Sequence, residues 1–380
     1  MPGPNKAGRF DIAAIVRDHR ATLESKHWLS PQQKRVLTDI ALCRTAILGG
    51  HLDKCINGCG FERPSYNSCR NRHCPKCQAL VQEKWIAEQQ QRMLDVKHFH
   101  VVFTLPAELR TLAAFAKDTV YGALFRAASS TLLEFGERRL SATIGATLVL
   151  HTWTRDLRFH PHVHAIVTGG GLSTDGTQWH SVRRAFLFPV KAMSRVFRGK
   201  MIDELKRAYD NNEFARFRDF KDPLAFSKLI GELWKLPWVV YAKPTFSKGE
   251  YVLKYLGRYT HRVGIANSRL LDVTNEYVLF RTKGDGTENL KPAAFLWRFV
   301  QHVLPDGFHK IRHYGLNAST PKRDLARTIL KMPVVVAKPQ SWREHLAGLT
   351  GRDVSCCPRC LGPMISLPLM HARAPPEMAA

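Results

Sequence analysis

Apolar residues recur at helical spacing near the start of the chain. Ile12 and Ile15 begin a stripe that continues at intervals of three or four residues, which predicts helices within residues 8–48. A cysteine-rich stretch at 55–77 interrupts the pattern. A second amphipathic run at 79–94 predicts another helix, with its charged and amide side chains on the polar face.

The pattern changes after this helix. Residues 98–106 form a short run rich in β-branched and aromatic side chains that a proline closes, which predicts a buried strand. An apolar stripe predicts a helix over 107–140, and two further strands are expected over 147–153 and 162–168. The glycine-rich stretch 169–176 is typical of a turn. This β-α-β-β order predicts an α+β fold, an antiparallel sheet with helices packed on it.

The remainder of the chain is mainly helical in pattern. Helices are predicted over 191–235, 249–260 and 293–304, with a hairpin over 275–286 between the last two. The tail after 318 has a weaker pattern, and no internal repeat is found. We therefore expect three parts, which are a small helical domain (1–95), a sheet-containing domain (96–317) and a tail (318–380).

The net charge of the chain indicates which class of molecule it binds. The chain has 380 residues, with 57 Lys and Arg against 32 Asp and Glu, so its formal net charge is +25. Nucleic acid is the commonest partner of so basic a surface, although a basic protein without such a partner is an alternative. No apolar run approaches the length of a membrane span, and the first residues do not resemble a signal peptide. A cytoplasmic location is expected.

Five cysteines lie within residues 55–77, where clustered cysteines are typical of zinc binding. Two close pairs suit one tetrahedral structural zinc ion, because a closed four-ligand site leaves no position for substrate. The pairs that the spacing favours are Cys55 with Cys59 and Cys74 with Cys77. Two further residues in the stretch, Cys69 and His73, are spare donors.

Basic residues are interleaved with these cysteines. Arg70, Arg72 and Lys76 could bring the zinc-binding segment to a phosphate backbone, and a solvated charged face is the alternative interpretation.

The tail carries a second, smaller group of cysteines. Cys356, Cys357 and Cys360 supply only half of a zinc site. His345 and His371 are candidate partners, although neither has the spacing of a known motif. A second zinc knuckle in the tail is therefore an open possibility.

The strand predicted at 162–168 carries two histidines two residues apart. Residues at this spacing share one face of a strand, so His162 and His164 can bind one divalent ion together. Two imidazoles rarely complete a metal site, and a third ligand is expected. The candidates are His160, His151 and Asp156, and the sequence does not choose among them.

Tyrosines lie at helical spacing in the predicted helix at 249–260. Tyr255 and Tyr259 share a face, and Tyr251 continues the same spacing. They could be core aromatics. Arg258 and Arg262 are poor neighbours for a core and good ones for a phosphate, which favours a role in nucleic-acid chemistry.

A bound metal ion and a tyrosine hydroxyl can together cut a nucleic-acid strand. A phenol with a pKa near ~10 attacks a phosphodiester poorly at neutral pH, and a divalent ion on the scissile phosphate makes phosphorus more electrophilic. Attack by tyrosine leaves the enzyme bonded to a 5′ phosphate and releases a 3′ hydroxyl. The strand can then be rejoined elsewhere without an external energy source.

Five motifs give the chain a family resemblance. They are CRNRHCPKC (69–77), HFHVVFTLP (98–106), FHPHVHAIVTGGG (159–171), YLGRYTHR (255–262) and HKIRHY (309–314). In content and order they resemble the rolling-circle transposases of bacterial insertion sequences, the two-tyrosine group of the HUH endonuclease superfamily.

The resemblance implies an N-terminal zinc-binding domain with structural Zn²⁺ and an HUH nuclease domain that uses Mg²⁺ or Mn²⁺. It assigns metal binding to His162 and His164 and the nucleophile role to Tyr255 and Tyr259, while Tyr251 lies outside the family motif. Single-stranded ends of the element would be the DNA partner, in a bacterial cytoplasm at the nucleoid. A replication initiator or mobilisation relaxase, and a zinc-bearing DNA binder without activity, are the alternatives.

Overall fold

The computed structural model describes residues 10–182, 186–220, 222–244, 264–333, 341, 344, 346–348, 351 and 353–369. The helices are α1 (Ile12–Lys26), α2 (Pro31–Leu42), α3 (Gln78–Arg92), α4 (Arg110–Phe115), α5 (Lys117–Leu140), α6 (Val190–Asp210), α7 (Pro223–Lys235), α8 (Pro292–Gln301) and α9 (Thr320–Ile329). The strands are β1 (Gly50–Cys55), β2 (Glu62–Tyr66), β3 (His98–Thr104), β4 (Ala142–Trp153), β5 (Phe159–Ser173), β6 (Trp179–Ser181), β7 (Val239–Pro244), β8 (Leu270–Val273), β9 (Val278–Arg281), β10 (Thr287–Leu290), β11 (Ile311–Gly315) and β12 (Met364–Leu369). Within these ranges, no helix combines the length and the apolar character that a bilayer span requires.

The largest sheet has the strand order β11-β4-β5-β3-β7, with β6 paired to the far end of β5. Every neighbouring pair is antiparallel. Helices α4 and α5 lie between β3 and β4 in the chain, and β5 follows β4 directly. The predicted α+β fold with an antiparallel sheet is therefore confirmed.

The two faces of this sheet differ in chemistry because side chains alternate along each strand. Phe99, Val101 and Phe103 of β3 are fully buried in the main core, which α5 and α6 complete. The ring of Phe103 meets that of Phe197 edge to face, with centroids 4.9 Å apart. The opposite face of β3 carries His98 and His100. Helices α5 and α6 thus cover one face, and these histidines lie on the other.

A second core joins the N-terminal helices to a later part of the chain. Buried residues of α1 and α2 pack with α8 and with the small sheet β10-β9-β8. The Asn267 side chain fixes the start of α1, since it accepts a hydrogen bond from the Ile12 amide at 3.2 Å and donates to Asp11 at 2.9 Å. Cys74 belongs to the same core, so the zinc-binding segment packs against residues that lie between β7 and β11 in the chain.

The third sheet contains strands from both ends of the chain. Its order is β12-β1-β2, and both pairings are antiparallel. The N-terminal part, predicted as helical, thus contains a hairpin as well. The division into 1–95, 96–317 and 318–380 stays a prediction, although residues of the first and last parts share this sheet.

The prediction of a turn over 169–176 is wrong at its start. Strand β5 continues through the three glycines to Ser173, and the turn lies after it. A Cβ atom on Gly170 would lie 2.6 Å from the His180 carbonyl oxygen, and one on Gly171 would lie 2.5 Å from that of Thr143. The glycines therefore permit close approach of β6 and β4 rather than a change of direction.

Other boundaries also differ from expectation. Helices α6 and α7 divide the single helical region predicted over 191–235, and β4 begins before the predicted residue 147. The hairpin predicted over 275–286 is present as β9 and β10, joined to β8. The helix predicted over 249–260 lies outside the described residues.

Candidate active site and zinc centres

Three histidines converge on the face of the main sheet opposite the one that α5 and α6 cover. His162 and His164 are two residues apart on β5, and His151 on β4 lies directly opposite His162. One side-chain nitrogen of each lies within 4.8 Å of the other two. Imidazole nitrogens are common ligands of divalent metals, so this histidine triad could bind one ion.

The other two candidates for the third ligand are engaged elsewhere. The Asp156 carboxylate forms an ion pair with Arg158, with Nε and Oδ2 2.8 Å apart. The His160 Nδ1 atom lies 3.5 Å from the Arg110 guanidinium. The structure therefore brings His151, and neither His160 nor Asp156, to the predicted pair.

Hydrogen bonds orient two members of the histidine triad. The His162 Nδ1–H donates to the His160 carbonyl oxygen at 2.7 Å. Since a carbonyl only accepts, the proton of a neutral His162 ring lies on Nδ1 and leaves Nε2 free as a ligand. The His164 Nδ1 lies 2.7 Å from Nε2 of His100, in a ring nearly parallel to its own. His100 is therefore a positioning residue for His164.

Burial keeps these rings neutral. Desolvation lowers the pKa of His162 to about 4 and that of His100 to about 4, and it lowers the pKa of His164 well below its usual value. At neutral pH each ring then offers an unprotonated nitrogen. Neutral imidazole is the form that binds metals.

One side of the histidine face is closed by the helix that follows the zinc-binding segment. Trp85 of α3 packs on Val149 and Ile166 of the sheet. Trp153 stacks on the ring of His151, with centroids 4.9 Å apart and planes 17° apart. These contacts shield His151 on this side.

On the other side of the face, β7 is the last strand of the sheet among the described residues. Val239, Tyr241 and Lys243 pair with alternate residues of β3 and therefore share the histidine face. Val239 is 58% exposed and Tyr241 is 50% exposed. Large exposed apolar side chains beside a metal-binding group, with a lysine next to them, are suited to a nucleic-acid strand.

The predicted nucleophiles Tyr255 and Tyr259 lie outside the described residues, as do Tyr251, Arg258 and Arg262. Their roles stay predictions.

The cysteines form two separate groups of four. The first group contains Cys43, Cys69, Cys74 and Cys77, whose sulfur atoms all lie within 4.8 Å of one another. The Cys77 Sγ lies 3.4 Å from that of Cys43 and 3.6 Å from that of Cys69. A tetrahedral zinc ion with bonds of ~2.3 Å requires sulfur atoms about 3.8 Å apart, so the group fits zinc.

The second group contains Cys55, Cys59, Cys357 and Cys360, again within 4.8 Å of one another. The prediction that Cys55 and Cys59 share an ion with Cys74 and Cys77 is therefore wrong. Strand β1 and the turn after it place Cys55 and Cys59 away from the end of α2, where Cys43 lies. Spacing along the chain predicted the wrong grouping, because each close pair of cysteines is completed by cysteines that are distant in sequence.

Thiols this close perturb one another when no cation is bound. Hydrogen bonds from Cys69 and Cys74 hold the pKa of Cys77 far below its usual range, while hydrogen bonds to Cys69 and Cys77 raise that of Cys74. Several thiolates can share so small a volume only if a cation compensates their charge, which zinc does.

His73, predicted as a spare zinc donor, has another role. Its Nε2 accepts a hydrogen bond from the Leu304 amide at 3.1 Å, and its Nδ1 lies 3.0 Å from the Asn71 side-chain oxygen. Burial lowers the pKa of this ring to about 3. His73 thus links the zinc-binding segment to the chain after α8, while the other spare donor, Cys69, belongs to the first cysteine group.

The predicted phosphate contacts in this segment divide into two kinds. Arg72 donates to the carbonyl oxygens of Phe308 and Pro305, both at 2.6 Å, and Lys76 forms an ion pair with Asp11. These two cations are engaged within the protein. Arg70 is exposed, and of the three it is the one whose position suits a backbone phosphate.

Comparison with known proteins places these sites in a family. A family model described as "Transposase zinc-binding domain" matches residues 15–105, and one described as "Putative transposase" matches residues 145–324. The first match includes six of the eight clustered cysteines, and the second includes all three histidines of the triad.

Two relatives cover most of the chain. A protein of Sinorhizobium fredii named "Putative transposase y4qJ" is 41% identical over 377 aligned positions, and the match covers 94% of each chain. The transposase for insertion sequence element IS801 of Pseudomonas savastanoi pv. phaseolicola is 32% identical over 297 residues, 74% of this chain and 70% of the relative. No solved structure matches the chain. On these matches and the motifs that carry them, the chain belongs to the rolling-circle insertion-sequence transposases that contain an N-terminal zinc-binding domain.

Proposed function

We propose that the chain nicks single-stranded DNA at the ends of its own element and transfers the cut strand through a 5′-phosphotyrosine intermediate. The observation that carries this proposal is the histidine triad of His151, His162 and His164 on the face of the sheet opposite α5 and α6. A site with three protein ligands leaves a coordination position of the ion for substrate, whereas a structural site is closed by four protein ligands.

The histidine triad would hold a Mg²⁺ or Mn²⁺ ion, which supplies charge neutralisation at the scissile phosphate when bound. The chain contributes the preorganisation of the ligands. The His160 carbonyl fixes the His162 ring, and His100 fixes the His164 ring. Ligands already oriented and neutral need no rearrangement before they bind.

Tyr255 and Tyr259 are the proposed nucleophiles, by their match to the family motif. The phenolic oxygen forms a bond to phosphorus as the bond from phosphorus to the 3′ oxygen breaks. The phenol loses its proton, and the 3′ oxygen gains one as it leaves as a hydroxyl. One phosphoester replaces another, so a second 3′ hydroxyl can later displace the tyrosine and rejoin the strand.

The edge of the histidine face supplies contacts for an unpaired strand. Tyr241 presents an exposed ring on which a base can stack, and Lys243 stands beside it on β7. Arg110 adds a second cation near the His160 ring. The net charge of +25 favours binding to the phosphate backbone in any sequence context.

The ion preference follows from the ligand types. The triad holds three imidazoles and no carboxylate, and nitrogen ligands favour Mn²⁺ over Mg²⁺, which prefers oxygen. We expect nicking to reach half its maximum at a Mn²⁺ concentration roughly tenfold below that of Mg²⁺. Titration of each ion against cleavage of an end-labelled oligonucleotide measures this. Equal requirements for the two ions would contradict an all-imidazole ligand set.

The direct test of the proposed function uses single-stranded oligonucleotides that carry the ends of the element encoding the chain. With Mn²⁺ present, the wild-type protein is expected to yield a nicked strand and a protein–DNA adduct that survives denaturation. Duplex DNA of the same sequence serves as the comparison substrate. Binding without nick or adduct would overturn the proposal in favour of a non-enzymatic DNA-binding role.

A further inference from the structure

The end of the described chain returns to its beginning. Strand β12 pairs with β1 through six residue pairs, from Gly50 opposite Leu369 to Cys55 opposite Met364. The loop after β1 also meets the loop before β12, since the Ile56 amide donates to the Pro363 carbonyl oxygen at 3.1 Å. The C-terminal segment thus completes the sheet that the N-terminal hairpin begins.

A buried carboxylate links the three strands of this sheet. Asp53 on β1 is 8% exposed and accepts hydrogen bonds from Ser65 on β2 at 2.8 Å and from Ser366 on β12 at 2.7 Å. Arg63 donates to the same carboxylate at 3.1 Å. Strand β12 thus supplies one of the donors that satisfy this buried carboxylate.

The four cysteines of the second group lie at the end of this sheet. Cys55 Sγ lies 3.4 Å from Cys360 Sγ, and Cys59 Sγ lies 3.6 Å from Cys357 Sγ. These separations exceed the ~2.05 Å of a disulfide and match the edges of a tetrahedral zinc–sulfur site. The backbone amide of Arg359 also donates to Cys357 Sγ at 3.4 Å, as in a turn that presents two thiolates to one ion.

We propose that Cys55, Cys59, Cys357 and Cys360 hold a second structural zinc ion, which fixes the C-terminal segment to the N-terminal hairpin. The paired cysteines are 305 and 298 residues apart in sequence. The free energy of zinc binding therefore stabilises a contact between the two ends of the chain, in addition to the pairing of β1 with β12. The family match to the zinc-binding domain ends at residue 105, before the tail cysteines.

Zinc content of the purified full-length protein tests this assignment. The wild-type chain is expected to carry two zinc ions, and Cys357→Ser and Cys59→Ser are each expected to carry one. The double variant of these two positions also keeps one ion, since both cysteines serve the same site. Cys59→Ser combined with Cys77→Ser keeps none. Two ions retained in Cys357→Ser would overturn the proposal.

Cys356 supplies a matched control in the same turn. It is adjacent to Cys357 but outside the group, and its thiol faces Asp353 at 3.6 Å. Cys356→Ser is therefore expected to keep both zinc ions. One ion in this variant would show that the tail cysteines are grouped differently.

Thiol protection in the wild-type protein gives a second readout that does not depend on the folding of a variant. Cys360 is exposed, yet as a zinc ligand it should resist N-ethylmaleimide while Cys356 reacts. Chelation of zinc should make Cys360 and Cys357 reactive and expose the segment after 353 to protease. Equal reactivity of Cys360 and Cys356 before chelation, or an intact mass lower by four hydrogens without zinc, would contradict the second zinc site.

Discussion

Replacement of both Tyr255 and Tyr259 by phenylalanine is expected to abolish the covalent protein–DNA adduct and strand cleavage. Removal of an attacking hydroxyl leaves no group that can form the phosphoester, so the rate should fall at least ~10³-fold. DNA binding should stay within about threefold of wild type, because the ring and the surrounding cations remain. Gel detection of adducts and a binding titration on the same oligonucleotide measure the two effects.

Tyr251→Phe is the matched control for this variant. It lies at the same helical spacing but outside the family motif, and it is expected to form adducts at the wild-type rate. The two single variants at 255 and 259 then show whether the tyrosines act in turn or whether one suffices. Adducts that persist in the double variant would eliminate both residues as nucleophiles.

The second large effect concerns the histidine triad. His162→Ala and His151→Ala are each expected to reduce Mn²⁺-dependent nicking at least ~10²-fold, since two imidazoles hold the ion poorly. An increase in Mn²⁺ concentration should recover part of the activity, because the defect lies in ion affinity. Nicking assays across a Mn²⁺ titration separate lost affinity from lost chemistry.

His160→Ala provides the control for these variants. His160 lies on the same strand and stands beside His162, but its ring is not part of the triad, and its carbonyl remains in the variant. Its nicking rate is expected to stay within about threefold of wild type. Wild-type activity in His151→Ala, or a loss in His160→Ala as large as that in His162→Ala, would refute the ligand set.

The central part of the fold could be predicted because its signals are local. Short runs rich in β-branched and aromatic residues marked the strands, and the apolar stripe marked α5. The glycines at 169–171 were wrongly predicted as the start of a turn. Glycine occurs both in turns and where two backbones come close together, and the sequence does not distinguish the two cases. Here they admit the backbones of β4 and β6, a reason that exists only once those strands are adjacent.

For the metal sites too, ligands close together in sequence could be predicted, whereas ligands brought together by strand pairing could not. His162 and His164 could be paired from their spacing alone. The choice of His151 required the register between β4 and β5, which places it opposite His162. His100 was missed because its contact with His164 depends on the pairing of β3 with β5.

The zinc ligands were the least predictable feature. Cys43 stood alone in the sequence, and its place in the first group depends on how α2 packs against the segment at 69–77. The second group joins cysteines about 300 residues apart. Spacing rules describe ligands on one hairpin or turn, so they paired the near cysteines and left the tail cysteines without partners.

The most direct measurement of the central claim is the identity of the residue bonded to DNA. The adduct formed by wild-type protein with Mn²⁺ on a labelled single strand can be digested and its modified peptide sequenced by mass spectrometry. A 5′ phosphate on Tyr255 or Tyr259, formed only when a divalent ion is present, is the predicted result. A bond to any other residue, a link through a 3′ phosphate, or an adduct formed without metal would contradict the account.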